Sequence, residues 1–391
     1  MRIAYVGPFE FPSSNANSLR VLGIAEALAS QNNLISICSG TSTQAADFQF
    51  KAGITVSKVD EYSGWLSKIS RGIRGLFLGN KTIDWLKTLS PKPEMVILYG
   101  THLGYLLRLL RYTRRNNILL VLDVVEWYDP RHLPLGPFGP FAFANEIAMR
   151  FVAAKADGLI VISKFLQNHF QKKGCATIRI PPIFANSKNL PVYKCFERER
   201  TRICYVGSPG KKEDLSSIIN GLQLAKSEGA RFRMEFVGSD IESLERQSGV
   251  KLNGNFEAEE FAVYGRVTNE EARNFITSCD FTILLRKDLR FTKAGFPSKV
   301  AESLTLGIPV ISNLTSDLRD YLVDSENSIV VEKSDPKGFA KSIARACALS
   351  PFEIENMKVN ALKSAANFSI EKFALSLNNF CVKLKNDRAN F

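Results

Sequence analysis

The sequence is poor in the residues that hold metals and build disulfides. It has three histidines, His102, His132 and His169, and they share no metal-ligand spacing. A zinc site is therefore not expected, and no metal is assigned. Its seven cysteines, Cys38, Cys175, Cys195, Cys204, Cys279, Cys347 and Cys381, are scattered singly with no C-x-x-C. An odd, dispersed set argues against a disulfide framework and for a reducing, cytoplasmic compartment. No run approaches eighteen uncharged apolar residues, so no membrane span is expected. The opening MRIAYVGPFEF reads as a strand and turn rather than a signal peptide. The loop after that strand, YVGPFEFPSS, has Gly7 but lacks the second and third glycines of G-x-G-x-x-G. That argues against a nicotinamide or flavin enzyme. Walker A, G-x-S-x-G and nucleic-acid motifs are also missing, and nucleic acid is not an expected partner.

What remains is an ordinary globular composition, 45% hydrophobic and 23% charged, over 391 residues. At roughly 100–200 residues per domain, two domains are expected. The net charge is +12. Much of the excess lies between Lys68 and Arg115, where ten basic residues face only Asp84 and Glu94. Trp65, Leu66, Leu76, Phe77, Trp85 and Leu86 interleave with them. Such a face suits an anionic membrane surface, and it equally suits a solvated face over a core helix.

Short apolar runs alternate with helical patterns. RIAYVG, LISICSG, EMVILYG, ILLVLDVV and GLIVIS read as buried parallel strands in the first half. The segment RIPPIFANSKNLPVYKCFERER breaks the rhythm and reads as a linker. RICYVG, RFRMEFVG, FTILLR, the strand ending in Ser312, and SIVVE restart it, and the chain from Asp335 onward reads as helical. Two successive doubly wound α/β units follow.

Four stretches carry candidate chemistry. In GFPSKVAESLTLGIPVIS, Gly295 and Pro297 shape a turn, Ser298 is placed to cap a helix, and Gly307 ends it. Helix N-terminal amides favour phosphate, and Glu302, a turn inside, could accept two ribose hydroxyls. The same glutamate could simply favour the helix dipole. YVGSPGKKEDL joins a strand to a helix. Gly207 and Gly210 would let a ligand approach the backbone, and Lys211 and Lys212 could meet a diphosphate. LLRKDLRFTKAGF adds Arg286, Lys287, Arg290 and Lys293 before the next helix. VLDVVEWYDP puts Asp123, Glu126 and Asp129 at a strand end, either facing acceptor hydroxyls or capping the loop. His102 follows a strand end as a weaker candidate, and His169 reads as structural.

Taken in order, these segments, with VYGRVTNEEARNFITSCDFTILL, resemble glycosyltransferase family 4 over nearly the whole chain, most strongly from Ile203 to Leu322. The resemblance implies a GT-B fold, with two Rossmann-like domains facing across a cleft. The first would span 1–185 and the second 186–369, with a C-terminal helix at about 370–391 packing back on the first. It implies a retaining, hexosyltransferase-type enzyme of bacterial surface-polysaccharide synthesis. The donor would be a nucleotide-sugar, UDP-linked by expectation, and the acceptor a glycan or lipid-linked sugar. No cofactor or metal is implied, and the setting is the cytoplasm or the inner face of the cytoplasmic membrane.

By the same resemblance Glu302 holds the ribose as the second glutamate of E-x7-E, and Gly295, Phe296, Pro297 and Ser298, followed by Lys299, face the donor sugar and phosphates. Lys212 binds phosphate, Gly265, Arg266 and Val267 cradle the base, and the loop from Gly7 to Asn17 lies beneath the diphosphate. Three positions depart from the pattern. Ala294 stands where the first glutamate would be. Ser208 replaces the arginine after Gly207, with Arg286 or Lys211 as substitutes. Glu126 takes the place of an acceptor-side histidine. A non-catalytic GT-B partner protein and a GT-B sugar-nucleotide epimerase are the alternatives.

Overall fold

The structure is a computed structural model that describes residues 1–13, 15–40, 47–62, 77–133, 135–185, 199–252 and 254–389. It falls into two compact units. One comprises Met1–Ala185, Ala294–Phe296 and Ser369–Phe391, the other Asn186–Lys293 and Pro297–Phe368.

The first unit is built on eight strands: β1 (Arg2–Gly7), β2 (Leu34–Ser39), β3 (Phe48–Lys51), β4 (Ile54–Lys58), β5 (Met95–Tyr99), β6 (Leu119–Val124), β7 (Gly158–Val161) and β8 (Thr177–Arg179). Their order is β3-β4-β2-β1-β5-β6-β7-β8. Only β3 runs antiparallel to its neighbour. Its helices are α1 (Ala16–Ala29), α2 (Asn80–Thr88), α3 (Leu103–Arg115), α4 (Pro140–Ile147) and α5 (Lys164–Gln171). The central strands β1, β5 and β6 are apolar on both faces because helices cover both sides. Tyr5 pairs with Ile37 on one side and Ile97 on the other.

Asp123, at the end of β6, belongs to this core rather than to a ligand site. It is fully buried, accepts from Tyr5 Oη at 2.5 Å, and is gripped by Arg20 of α1 through Nε at 3.1 Å and Nη2 at 2.9 Å. Arg20 also donates to the carbonyls of Ile180 and Pro181. The C-terminal helix, Ile370–Ala389, packs into the same unit. Ile370, Ala374, Leu377, Cys381 and Leu384 recur at three- and four-residue steps and bury together. Gly158 makes room for it, since a Cβ there would stand 2.5 Å from Leu384 Cδ1.

Residues 63–76, which hold Trp65, Leu66 and the start of the basic Lys68–Arg115 stretch, lie outside the described residues. In the rest, Leu78, Trp85 and Leu86 are buried. These apolar residues of the basic stretch are therefore core, and α2 turns Thr82, Trp85 and Leu86 inward.

The second unit has six parallel strands: β9 (Thr201–Val206), β10 (Phe232–Val237), β11 (Phe261–Tyr264), β12 (Phe281–Leu284), β13 (Val310–Ser312) and β14 (Ser328–Val330). Its helices are α6 (Leu215–Ser227), α7 (Ile241–Ser248), α8 (Asn269–Ser278), α9 (Arg290–Ala294), α10 (Ser298–Thr305), α11 (Pro336–Ala348) and α12 (Pro351–Ser364). The order β11-β10-β9-β12-β13-β14 reverses direction between β9 and β12. In an open parallel sheet ligands bind at such a reversal, beyond the carboxyl ends of the strands.

Candidate functional site

β9 leaves the core at Val206, and the chain turns at Gly207 with φ +108°. A Cβ on Gly207 would lie 2.9 Å from Lys299 Cε. This position therefore needs glycine twice, for its backbone and for its neighbour. Lys299 is the second residue of α10. Its ammonium donates to Tyr205 Oη at 2.9 Å, lies 4.7 Å from the Tyr205 ring centre, and stands 3.7 Å from Glu213 Oε1.

Glu213 closes the Gly207–Asp214 loop by accepting the Gly210 amide at 2.8 Å, and it pairs with Arg286 Nη2 at 3.2 Å. Arg286 follows β12. Its amide donates to Asn313 Oδ1, and its carbonyl accepts from Asn313 Nδ2. Arg286 Nε is buried with no acceptor. Residues following β9, β12 and β13, with one from α10, thus meet at the reversal point of the sheet.

The charges are mutually tuned. Burial pushes the Glu213 carboxyl up, but Lys299 and Arg286 outweigh it and hold it below its ordinary value. Burial lowers the Lys299 ammonium, partly opposed by Glu213. Glu302 shares a small pocket with Lys299, Val206 and Thr282, and burial raises its carboxyl against the pull of Arg273 and Lys299.

Ser298 does not cap α10. It is the first helical residue, Pro297 precedes it, and no side chain caps the end. The positive end of this helix is left without a side-chain acceptor. Gly295, Phe296 and Pro297, leading into it, are buried, as is Ala294.

Other expected residues share the same sheet edge. Ser208 Oγ donates to the Gly238 carbonyl at 3.0 Å, and the Gly238 amide bonds the carbonyls of Tyr264 and Gly265. Gly265 and Arg266 are exposed and Val267 half-buried at the end of β11. Lys211 is exposed, and Lys212 Nζ sits 6.0 Å from the Phe291 ring centre. Sequence reasoning missed Glu213, Tyr205 and Asn313. Glu213 lay inside the quoted YVGSPGKKEDL, but its partner Arg286 is 73 residues away and only the fold joins them.

Gly7 and Glu126 belong to the first unit. Gly7 has a packing reason, since a Cβ there would come within 2.9 Å of Phe9 and Tyr99. Glu126 lines a cavity of about 250 Å³ at the carboxyl ends of β1, β5 and β6, walled by Tyr62, Tyr99, Tyr128 and Phe141. His102 lines it too, and burial lowers its pKa to about 4, leaving the ring neutral at pH 7. Asp129 is not available there, for it pairs with Arg131 at 2.7 Å and caps the turn that follows. His169 is structural, edge-on to Trp127 and bonded to the Met149 carbonyl. A larger cavity of about 490 Å³ opens at the opposite edge of the second sheet, among Thr201, Cys347 and Lys358, away from these groups. Among the described residues no cluster of three or more His, Cys, Asp or Glu could hold a metal.

Comparison with known proteins bears on the family and the fold. Residues 194–364 match the family described as glycosyl transferases group 1. A probable glycosyltransferase, WbjE of Pseudomonas aeruginosa, is 23% identical over 305 residues, covering 71% of this chain and 73% of that protein. Sucrose-phosphate synthase from Thermosynechococcus elongatus superposes with a TM-score of 0.77 at 15% identity, over 99% of each chain. Anabaena HepE in complex with UDP and glucose superposes at 0.64 and 13% identity, over 99% of this chain and 100% of that one. The lipopolysaccharide outer core galactosyltransferase WaaB superposes at 0.64 and 14%, over 98% and 99%. Residues 194–364, which hold the Glu213–Arg286–Lys299 cluster and Glu302, thus match the glycosyl transferases group 1 family, within a chain of GT-B fold.

Proposed function

We propose that this chain is a retaining, hexosyltransferase-type glycosyltransferase that moves a sugar from a nucleotide-sugar, UDP-linked, to a glycan or lipid-linked acceptor in bacterial surface-polysaccharide synthesis. The observation that carries this reading is the cationic cluster at the β9/β12 reversal beside the uncapped start of α10. The positive end of a helix without a side-chain cap, beside Arg286 and Lys299, favours a diphosphate, and Glu302 one turn on suits a ribose. Lys212, Lys211 and Arg286 would stabilise the negative charge that grows on the leaving diphosphate. These groups belong to the protein itself, and the proposal assigns no metal to the reaction. The bond from the anomeric carbon to the phosphate oxygen breaks. The acceptor oxygen takes its place on the same face, and its proton passes to the departing diphosphate. Retention rests on the family resemblance. The HepE structure bound to UDP and glucose supports the donor class.

The aromatic cavity of the first unit is the proposed acceptor seat, with Glu126 bonding an acceptor hydroxyl. Three tyrosines and a phenylalanine offer faces on which sugar rings stack.

One observation favours a second reading, binding without transfer: Ala294 is buried and offers no carboxylate where a donor-sugar contact is usual. A panel of UDP-, GDP-, ADP- and dTDP-sugars separates the two. Thermal stabilisation by one nucleotide class with slow nucleotide release is expected. Stabilisation without release, even with acceptor extracts, would favour the binding protein, and no stabilisation by any member would overturn the donor site.

A further inference from the structure

The outer side of the 135–151 segment is apolar where water would be its neighbour. Leu135, Phe138, Phe143 and Phe151 are 77%, 95%, 66% and 65% exposed. The inner side of the same stretch is already committed to the core through Ala142, Ala144, Ala148, Met149 and Val152. A helix apolar on both sides needs cover on the second. Phe143, Ile147 and Phe151 follow one another at four-residue steps, where α4 runs on into the π turn Ala148–Val152. Phe138 lies in the turn just before, and Leu135 is held there at φ +62°.

Cations rim this face. Lys173 Nζ donates to the Arg150 carbonyl and lies 6.0 Å from the Phe151 ring centre. Arg114 Nη2 donates to the Lys155 carbonyl at 3.2 Å, which brings the exposed Arg111, Arg114 and Arg115 of α3 to its border. The neighbouring acids are neutralised, Glu146 by Arg150 and Asp129 by Arg131. Among the described residues no helix is long and apolar enough to cross a membrane.

We infer that this face seats on the anionic surface of a lipid bilayer. Phe138, Phe143 and Phe151 enter the boundary between headgroups and acyl chains, and Arg111, Arg114 and Lys173 meet lipid phosphates. The charge pattern selects this occupant. A second copy docking by the same face would bring two cationic rims together, whereas a bilayer bearing anionic lipid complements them. The surface differs from the apolar residues of α2, which are buried, and the inference does not depend on the donor site.

The test is flotation of the full chain with phosphatidylcholine vesicles, with and without phosphatidylglycerol, at low and high salt. Binding only to the phosphatidylglycerol vesicles, weakened by salt, is expected. The triple variant Phe138→Ser, Phe143→Ser, Phe151→Ser should lower the bound fraction about tenfold at unchanged thermal unfolding. The Arg111→Ser, Arg114→Ser variant should weaken the dependence on phosphatidylglycerol. Should the triple variant fold poorly, Phe138→Ser alone, at a side chain almost wholly in solvent, gives the same comparison. Wild-type protein that does not float, aromatic variants that float like wild type, or a dimer in solution that they split would each overturn the proposal.

Discussion

Glu213 stands between Arg286 at 3.2 Å and Lys299 at 3.7 Å, and its carboxylate also takes the Gly210 amide. Glu213→Gln would leave two cations facing each other in a largely buried site. A loss of about 2 kcal/mol in urea unfolding is expected, since breaking a buried pair strands its partners. The pH dependence has a definite sign. The folded carboxyl titrates below its unfolded value, so its stabilisation is complete above the unfolded value and drains away as pH falls through the folded one. Acid unfolding of Glu213→Gln should therefore be shallower over that window than that of wild type. Glu302 has the opposite sign. Its raised carboxyl loses stability as pH rises from the unfolded value through the folded one. Glu302→Gln should therefore melt slightly higher at neutral pH while binding donor more weakly, a combination that calorimetry and titration can check together. Glu302 could be proposed from sequence because its place in one helix and the family resemblance both point to it. Glu213 could not, because its role is set by residues brought to it from β12 and α10.

At the scale of elements, the turn at Gly207 and the start of α10 are one device, with the glycine leaving room for the lysine. Gly207→Ala is expected to cost more than about 1 kcal/mol, through a positive φ and a clash with Lys299, and to disturb the site. Unchanged stability and turnover would separate the turn from the site. In the first unit, Leu377→Ala on the C-terminal helix should cost about 2–5 kcal/mol in chemical unfolding, because its side chain is fully buried. The central strands were legible because they are continuous apolar runs. The edge strands β3, β8 and β11, and β4 next to the edge, were not, since FQFK and TIR are short and bury little. Helices α2 and α7 were not read from the sequence either. The start of α10 was placed correctly but its cap was not. Sequence offered Ser298, whereas the chain enters helix directly after Pro297.

For the whole molecule, each unit carries its own reversal point, β1/β5 in the first sheet and β9/β12 in the second, and the candidate groups gather at both. Cations and helix amides collect at the second, and aromatic rings with one carboxylate at the first. If Lys211 and Lys212 steady the leaving diphosphate, replacing both with alanine should lower kcat about tenfold or more while sparing the fold. Wild-type kcat in that variant would remove them from the reaction. The most direct test of the account is a calorimetric titration of UDP into wild-type protein and into Glu302→Ala. Binding to wild type, with affinity at least about tenfold weaker in the variant, is the expected result for a ribose held on that carboxylate. Equal affinity in the two proteins, or no binding of UDP to either, would contradict it.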